Sequence, residues 1–388
     1  MKKAIRNNLF SFATSELSQD AFICWCLNWF NAPSKPALQE MAKKIIAKLT
    51  NIEEIFSVEI LRQFSRKVTV DGKRIHVKID ILVVVNKNIA VIIEDKTYSN
   101  EHDQQIERYK KGLQEIYKDK QLSKIITVYW KTGFYNDWDK VTVADKKITG
   151  EDVKGLLADY VNESEIIKDY FDCLEANLQW QEEHKKYWLP LGVPWWELNI
   201  VNYHIAQYTL LREIFPEKRW DISTGRYEGE YEIYMGSSFG RPWTQTVAKW
   251  GKFSNDEKKE DWYKLFWRID SDKGGPYISF RFYEWGYSKN TAERHKNLYN
   301  ELSDLMEKII NAWPDNGLNL VNALRKNKGN YNEATFFHYY LDFSHWDRDK
   351  DIVIKTIREI SDKFVERFTR EVEPEFLEYK KEHAEKNS

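Results

Sequence analysis

Asp80, Glu94 and Lys96 are the residues of this sequence whose types and spacing suit a reaction. Glu94 and Lys96 end the run IAVIIEDK, which is otherwise apolar and rich in β-branched residues, as a buried strand is. Side chains alternate across a strand, so Glu94 and Lys96 share one face and Asp95 takes the other. Asp80 lies in the preceding run, RIHVKIDILVVV, and an antiparallel hairpin turning at Asn86-Lys87-Asn88 brings its carboxylate to the neighbourhood of Glu94. Two carboxylates held together repel, and a hard divalent cation between them relieves the repulsion. Such an ion lowers the pKa of water and polarises a phosphoryl oxygen, while a lysine on the same face holds the attacking water or steadies the developing negative charge. An E-x-K tripeptide also ends many strands as a plain surface ion pair, so the tripeptide alone does not choose between these readings.

The surrounding elements supply the context. Thr14 or Ser15 is placed to cap a helix through ELSQDAFICWCLNWF, with Leu17, Ala21, Cys24, Trp25 and Asn28 at helical spacing. Ala37 to Leu49 predicts a second helix, with Leu38, Met41, Ala42, Ile45, Ile46 and Leu49 along one side. From Ile55 to Val70 the period becomes β-like, and Asp71-Gly72 marks a tight turn into the run that holds Asp80. After the charged triplet, Ile106, Tyr109, Leu113 and Ile116 form an apolar helical stripe with Gln105 at its margin. KIITVYWKTG predicts a further strand, and residues 148–186 predict mostly helix.

In this order, a helix with Glu16 and Asp20, a hairpin with Asp80, the run I-I-E-D-K and a helix opening Q-I-x-x-Y resemble the PD-(D/E)XK nuclease superfamily. The likeness is to bacterial members with E-D-K or E-N-K at the motif and Q-[LI]-x-x-Y after it. The resemblance implies a restriction-endonuclease-like α/β fold for the first domain, with a central mixed sheet of about four strands and helices on both faces. It implies Asp80 and Glu94 as metal-binding carboxylates, Lys96 as the catalytic lysine, Gln105 as the glutamine beside that lysine, and Glu16 as the first-helix acid that completes the metal shell. The cofactor it implies is Mg²⁺ or Mn²⁺, the partner a nucleic acid, DNA first, and the setting defence against foreign DNA. The residue before Asp80 is Ile79 rather than proline, so the name motif is only half present. Asp20 faces the same way as Glu16, one turn on, where the helix macrodipole alone also favours an acid. Asp95 is expected to point away from the metal and His102 to be a surface or capping residue, while Lys131 at a strand end has no assigned role.

The chain of 388 residues is long enough for two packed units, and Pro190 and Pro194 mark the expected boundary between domains 1–188 and 189–388. With 31% charged and 42% hydrophobic residues, the composition is that of a globular rather than a disordered chain. No run approaches the ~18 apolar residues of a membrane span, and the first residues carry no apolar run of signal-peptide length, so a cytoplasmic protein without a membrane partner is expected. Cys24, Cys26 and Cys173 lack finger-like spacing, which excludes a structural zinc site and fits small buried hydrophobes.

The formal net charge is −2, so any contact with nucleic acid has to come from local patches. One such patch is Arg62, Arg66, Lys67, Lys73, Arg74 and Lys78, set against Asp71 alone; it reads equally as a contact surface or as charges guarding an edge strand. The second half predicts an α+β domain: an antiparallel sheet from YEIYMG, TQTVAKW, WYKLFWRID, PYISFRFYEW and FFHYYLDF, with helices near 296–313 and 350–370. Its aromatics alternate with arginines, a pattern of core packing or of stacking platforms for unpaired bases. Two function classes follow. One is a metal-dependent nuclease; the other is a catalytically silent protein that keeps the fold and binds nucleic acid or a ligand.

Overall fold

The computed structural model describes residues 7–32, 34–97, 105–118, 122–136, 139, 142–185, 200–215, 223–224, 227–228, 233–238, 241–252, 262–272, 275–284, 300, 303–304, 307, 321–322, 333–341, 346–375 and 378. His102, Pro190, Pro194 and most of the helix expected near 296–313 lie outside the described residues. The chain divides into two compact units, Met1–Glu183 and His184–Ser388.

The first unit is mixed α/β. Its sheet runs β1 (Val58–Val70), β2 (Lys73–Val85), β3 (Ile89–Lys96), β4 (Lys124–Lys131) and β5 (Lys146–Thr149), in that spatial order. The first three strands pair antiparallel through turns in which Asp71 (φ 50), Gly72 (φ 76), Asn86 (φ 51) and Lys87 (φ 62) take the left-handed conformation that matches strand twist. The β3–β4 and β4–β5 pairs are parallel, so the sheet is mixed. It has one strand more than expected, because β5 opens the stretch predicted as helical. Only Ile148 of its four residues is buried, too little for a period to register.

Helix α1 (Glu16–Asn28) starts at Ser15, whose extended backbone lets its Oγ accept the Ser18 N–H. The buried side of α1 is Gln19, Asp20, Phe22, Ile23, Cys26 and Leu27, not the stripe through Leu17, which is exposed. Pro36 opens α2 (Pro36–Thr50) and Asn51, at φ 59, ends it. Leu38, Met41, Ala42, Ile45, Ile46 and Leu49 are buried as one stripe, each large one adding about 1.5–3 kcal/mol. After α3 (Gln105–Ile116), a Thr149–Asp152 capping box starts α4 (Gly150–Leu157), and α5 (Glu165–His184) follows. Helices α1, α2, α4 and α5 cover the sheet face of Ile81, Val83, Val91, Ile93, Val128 and Trp130. The opposite face, with Leu82, Val84, Ala90 and Ile92, is closed by Tyr109 and Leu113 of α3.

The second unit holds α6 (Ile200–Ile214), a short pair β6 (Ser223–Thr224) and β7 (Tyr227–Glu228), then β8 (Ile233–Ser238), β9 (Arg241–Lys252), β10 (Trp262–Asp272), β11 (Gly275–Glu284), β12 (Val321–Asn322), β13 (Glu333–Tyr340) and α7 (Trp346–Arg367). Its main sheet is antiparallel in the order β12-β13-β11-β10-β9-β8. One face, with Tyr263, Leu265, Trp267, Ile269, Phe280 and Phe282, packs against Leu211 and Ile214 of α6 and Ile357 and Phe364 of α7. Core packing therefore accounts for these aromatics. Among the described residues no helix is long and apolar enough to cross a membrane, and all three cysteines are free.

Candidate active site

The sheet of the first unit forks beside the charged triplet. Pairing of β2 with β3 ends at Ile81 and Ile93, whereas β3 stays paired with β4 as far as Lys96 and Lys131. Beyond the fork, β2 continues against β1 alone, out to Val70 and Lys73. A conflict in side-chain parity produces this geometry. Val77 and Ile79 pack toward α3, as do Leu82 and Val84, and a regular strand cannot place 79 and 82 on one face. The ladder resolves the conflict at Gln63 (φ 52) and Asp80, which drop out between the Arg62–Ile81 and Phe64–Ile79 pairs. Asp80 thus faces the gap, and its Oδ2 accepts the Asp95 N–H at 3.1 Å, capping the strand end that β2 has left.

Glu94 and Lys96 end β3 on the α3 side by alternation and are buried, at 0% and 8% exposure. The Lys96 ammonium donates to Glu94 Oε1 at 2.5 Å. Burial pulls the Lys96 pKa down, but Glu94, Asp80 and Glu16 outweigh it and hold the group above its ordinary value. Burial raises the Asp80 carboxyl, against the pull of Lys96 and of the Asp95 N–H. Glu16, first residue of α1, reaches the same strand end, where its Oε1 accepts the Thr97 N–H at 3.2 Å. The chain passes Thr97 closely at Gly133, where a Cβ would fall 1.7 Å from the Thr97 carbonyl oxygen. Only glycine lets β4 leave the sheet so near the end of β3.

Asp95 turns to the α1 side, where its Oδ1 accepts from Gln19 Nε2 at 2.5 Å. The Gln19 carbonyl in turn accepts from Thr132 Oγ1 at 2.6 Å and Tyr170 Oη at 3.1 Å, so one amide ties α1, both parallel strand ends and α5 together. Asp95 Oδ2 and Asp20 Oδ1 are buried with no hydrogen-bond partner among the described residues. Burial first, then the neighbouring acids, raises Asp95 well above the carboxylate range; burial and Asp80 push Asp20 up to about 6. Gln63 Nε2 donates to Asp20 at 2.7 Å and to Asp80 at 3.4 Å, bridging the pair to the fork.

A second buried lysine, unassigned from the sequence, joins Glu94 and Lys96 on their face. Lys131 is the parallel partner of Lys96 and is 1% exposed. It pairs with Asp139, itself fully buried, at 3.3 Å, and Asp139 also accepts from Tyr129 Oη at 2.5 Å and from the Asn136 N–H at 2.8 Å. Burial lowers the Lys131 pKa, and Asp139 opposes that shift. The only signal in the sequence was the two-residue step from Tyr129 to Lys131 in register with Glu94 and Lys96. Gln105, by contrast, donates within its own helix, to Tyr109 Oη at 3.1 Å.

The donors that Asp80, Glu94 and Glu16 present are carboxylate oxygens, without thiolate or imidazole, which suits a hard ion such as Mg²⁺ or Mn²⁺. Among the described residues no group of three or more acidic, His or Cys side chains is placed to hold a metal ion. An ion that keeps water and substrate oxygens needs only one or two carboxylates, and this set fits it. Residues 7–187 match the family model of the PD-(D/E)XK nuclease superfamily. Neither a curated protein nor a solved structure matches the chain.

Proposed function

Since residues 7–187 belong to the PD-(D/E)XK nuclease superfamily, we propose that the first unit is a divalent-metal-dependent phosphodiesterase acting on nucleic acid, with DNA as its first substrate and defence against foreign DNA as its setting. The observation that carries this reading is the fork, where a part-buried Asp80 faces a strand end carrying a fully buried Glu94 and its Lys96 partner.

Asp80 and Glu94 would hold the ion, with Glu16 at its flank. When bound, Mg²⁺ or Mn²⁺ supplies Lewis acidity to a phosphoryl oxygen and favours ionisation of water. Lys96 works as a cation. Its pKa is held above the ordinary value, so it stays protonated near neutrality and stabilises charge on the phosphorus-centred transition state rather than removing a proton. Asp95 stays out of the reaction and, through Gln19, fixes the position of α1 and so of Glu16.

Incubation of the purified chain with single- and double-stranded DNA and RNA, in Mg²⁺, Mn²⁺ or EDTA, tests the proposal. Cleavage is expected with either metal and not with EDTA. No cleavage of any substrate in either metal would replace this reading with the binding-protein alternative.

A further inference from the structure

Beyond the fork, β1 and β2 form a two-stranded arm that leaves the rest of the sheet. Its α3 side is fully used: Phe64, Val68, Ile75, Val77 and Ile79 pack there with Tyr109 and Leu113. The helix comes so close that a Cβ on Gly112 would stand 2.3 Å from Val77 Cγ2. The ladder pairs Ser65 with Lys78, Lys67 with His76 and Thr69 with Arg74, so these six residues share the face turned away from α3. All six are exposed, and none is acidic. Same-face residues on a strand repeat every ~6.6 Å, so the stripe starts one repeat from Asp80 and continues for about 13 Å along β2.

We propose that this face of the arm is the surface along which the phosphate backbone of a nucleic-acid strand lies as it enters the fork. The inference rests on the phosphodiesterase reading of the fork and names the part of the chain that holds its substrate. Two observations set it apart from ordinary edge protection. Among the described residues the cations of this face, Lys67, Arg74 and Lys78, form no ion pair and stand together on two paired strands, whereas Lys43, Lys87, Lys111 and Lys124, also without an ion pair, stand one each on α2, the β2–β3 turn, α3 and β4, and Lys44, Lys48, Lys110 and Lys168 are matched by Asp159, Asp152, Asp145 and Asp172. In addition, the chain as a whole carries 61 acidic against 59 basic residues, so a two-stranded face with cations and no acid is a local concentration that the composition does not supply. Unpaired, exposed cations in a row suit a polyanion, because counterions leave the backbone as each phosphate is met. The contacts are with phosphate, so they position the strand without reading its sequence.

The test is equilibrium binding by full-length protein carrying Glu94→Gln, in EDTA, to labelled double-stranded DNA, single-stranded DNA and RNA across a salt series. Adding Lys67→Gln, Arg74→Gln and Lys78→Gln should lower affinity at low salt more than tenfold for whichever strand type binds. It should also flatten the plot of log K against log salt by roughly 0.9 per cation for duplex, or roughly 0.7 for single strands. The matched control, Lys44→Gln, Lys48→Gln and Lys168→Gln, should change neither quantity. Circular dichroism checks the fold of both triple variants, whose changes lie on exposed side chains except for the half-buried Lys168. Wild-type affinity and slope in the arm variant would overturn the inference, even if the wild-type chain cleaves. Loss of binding in the arm variant would uphold it, even if no cleavage is found and the phosphodiesterase reading falls.

Discussion

Both units bury charge, and they do so in opposite ways. In the second unit, Arg268 and Arg281 each meet both Asp270 and Glu333, at 2.6 to 3.6 Å, a square of two cations and two anions on one sheet face. In the first unit, Asp20, Asp80 and Asp95 crowd together at the end of a strand, each held above its ordinary pKa by burial first and then by a neighbouring acid: Asp80 raises Asp20, Asp20 and Asp80 raise Asp95, and Glu16 raises Asp80. A balanced square explains its own presence, because each charge offsets the desolvation of its partner. A cluster of like charges is costly in the fold alone, and an imposed cost of this kind points to chemistry. Lys264 is the second unit's exception: it lies among the rings of Tyr234, Trp250, Phe266 and Tyr283, at 4.6 to 6.0 Å, and burial lowers its pKa to about 7.

The largest effect is expected at the square. Arg281→Met takes away one of the two arginines that meet Asp270 and Glu333 and should cost about 3–5 kcal/mol, seen as faster hydrogen exchange in β10 and β11. It should leave metal-dependent cleavage by the first unit intact; loss of cleavage at unchanged first-unit exchange would show that the two sets of charges are not independent.

At the fork the expected effect is on rate rather than stability. Lys96→Ala should lower turnover by roughly a hundredfold or more with substrate affinity nearly unchanged. Lys96→Arg should rescue it only in part, since a planar fork does not replace a compact ammonium. Wild-type turnover in Lys96→Ala would return the Glu94–Lys96 contact to the status of a strand-end ion pair.

A smaller effect sharpens the contrast through pH. The folded state binds the Lys264 proton more weakly than the unfolded chain does, so second-unit stability should rise with pH from about 7 to 10.5 and be lowest below that window. Lys264→Met should flatten this rise and, at pH 7, stabilise the unit by about 1–3 kcal/mol after the lost ring contacts are counted. An unaltered pH profile in the variant would assign the dependence to another group.

Much of the first unit is legible in its sequence, since the caps, the turns at Asp71-Gly72 and Asn86-Lys87 and the change from helical to alternating period are all local signals. The fork is not. In H-V-K-I-D-I-L-V-V-V both parities are apolar after Asp80, so the sequence cannot show that Ile79 and Leu82 will share a face. Gln19 shows only as a polar break on the apolar side of α1, which is why the predicted stripe fell on the exposed Leu17. Lys131 and Asp139 meet across a loop whose path tertiary packing decides. The alternating aromatics of β10 and β11 were legible as strands, but which set faced the helices depended on register.

Mn²⁺ titration of the full-length chain, followed by calorimetry, tests whether Asp80 and Glu94 together hold a divalent ion. Wild-type protein should bind the ion and gain thermal stability from it as repulsion is relieved, while Asp80→Asn and Glu94→Gln, each still folded, should lose both. Binding and a thermal shift of wild-type size in either variant would place the ion elsewhere and contradict the account.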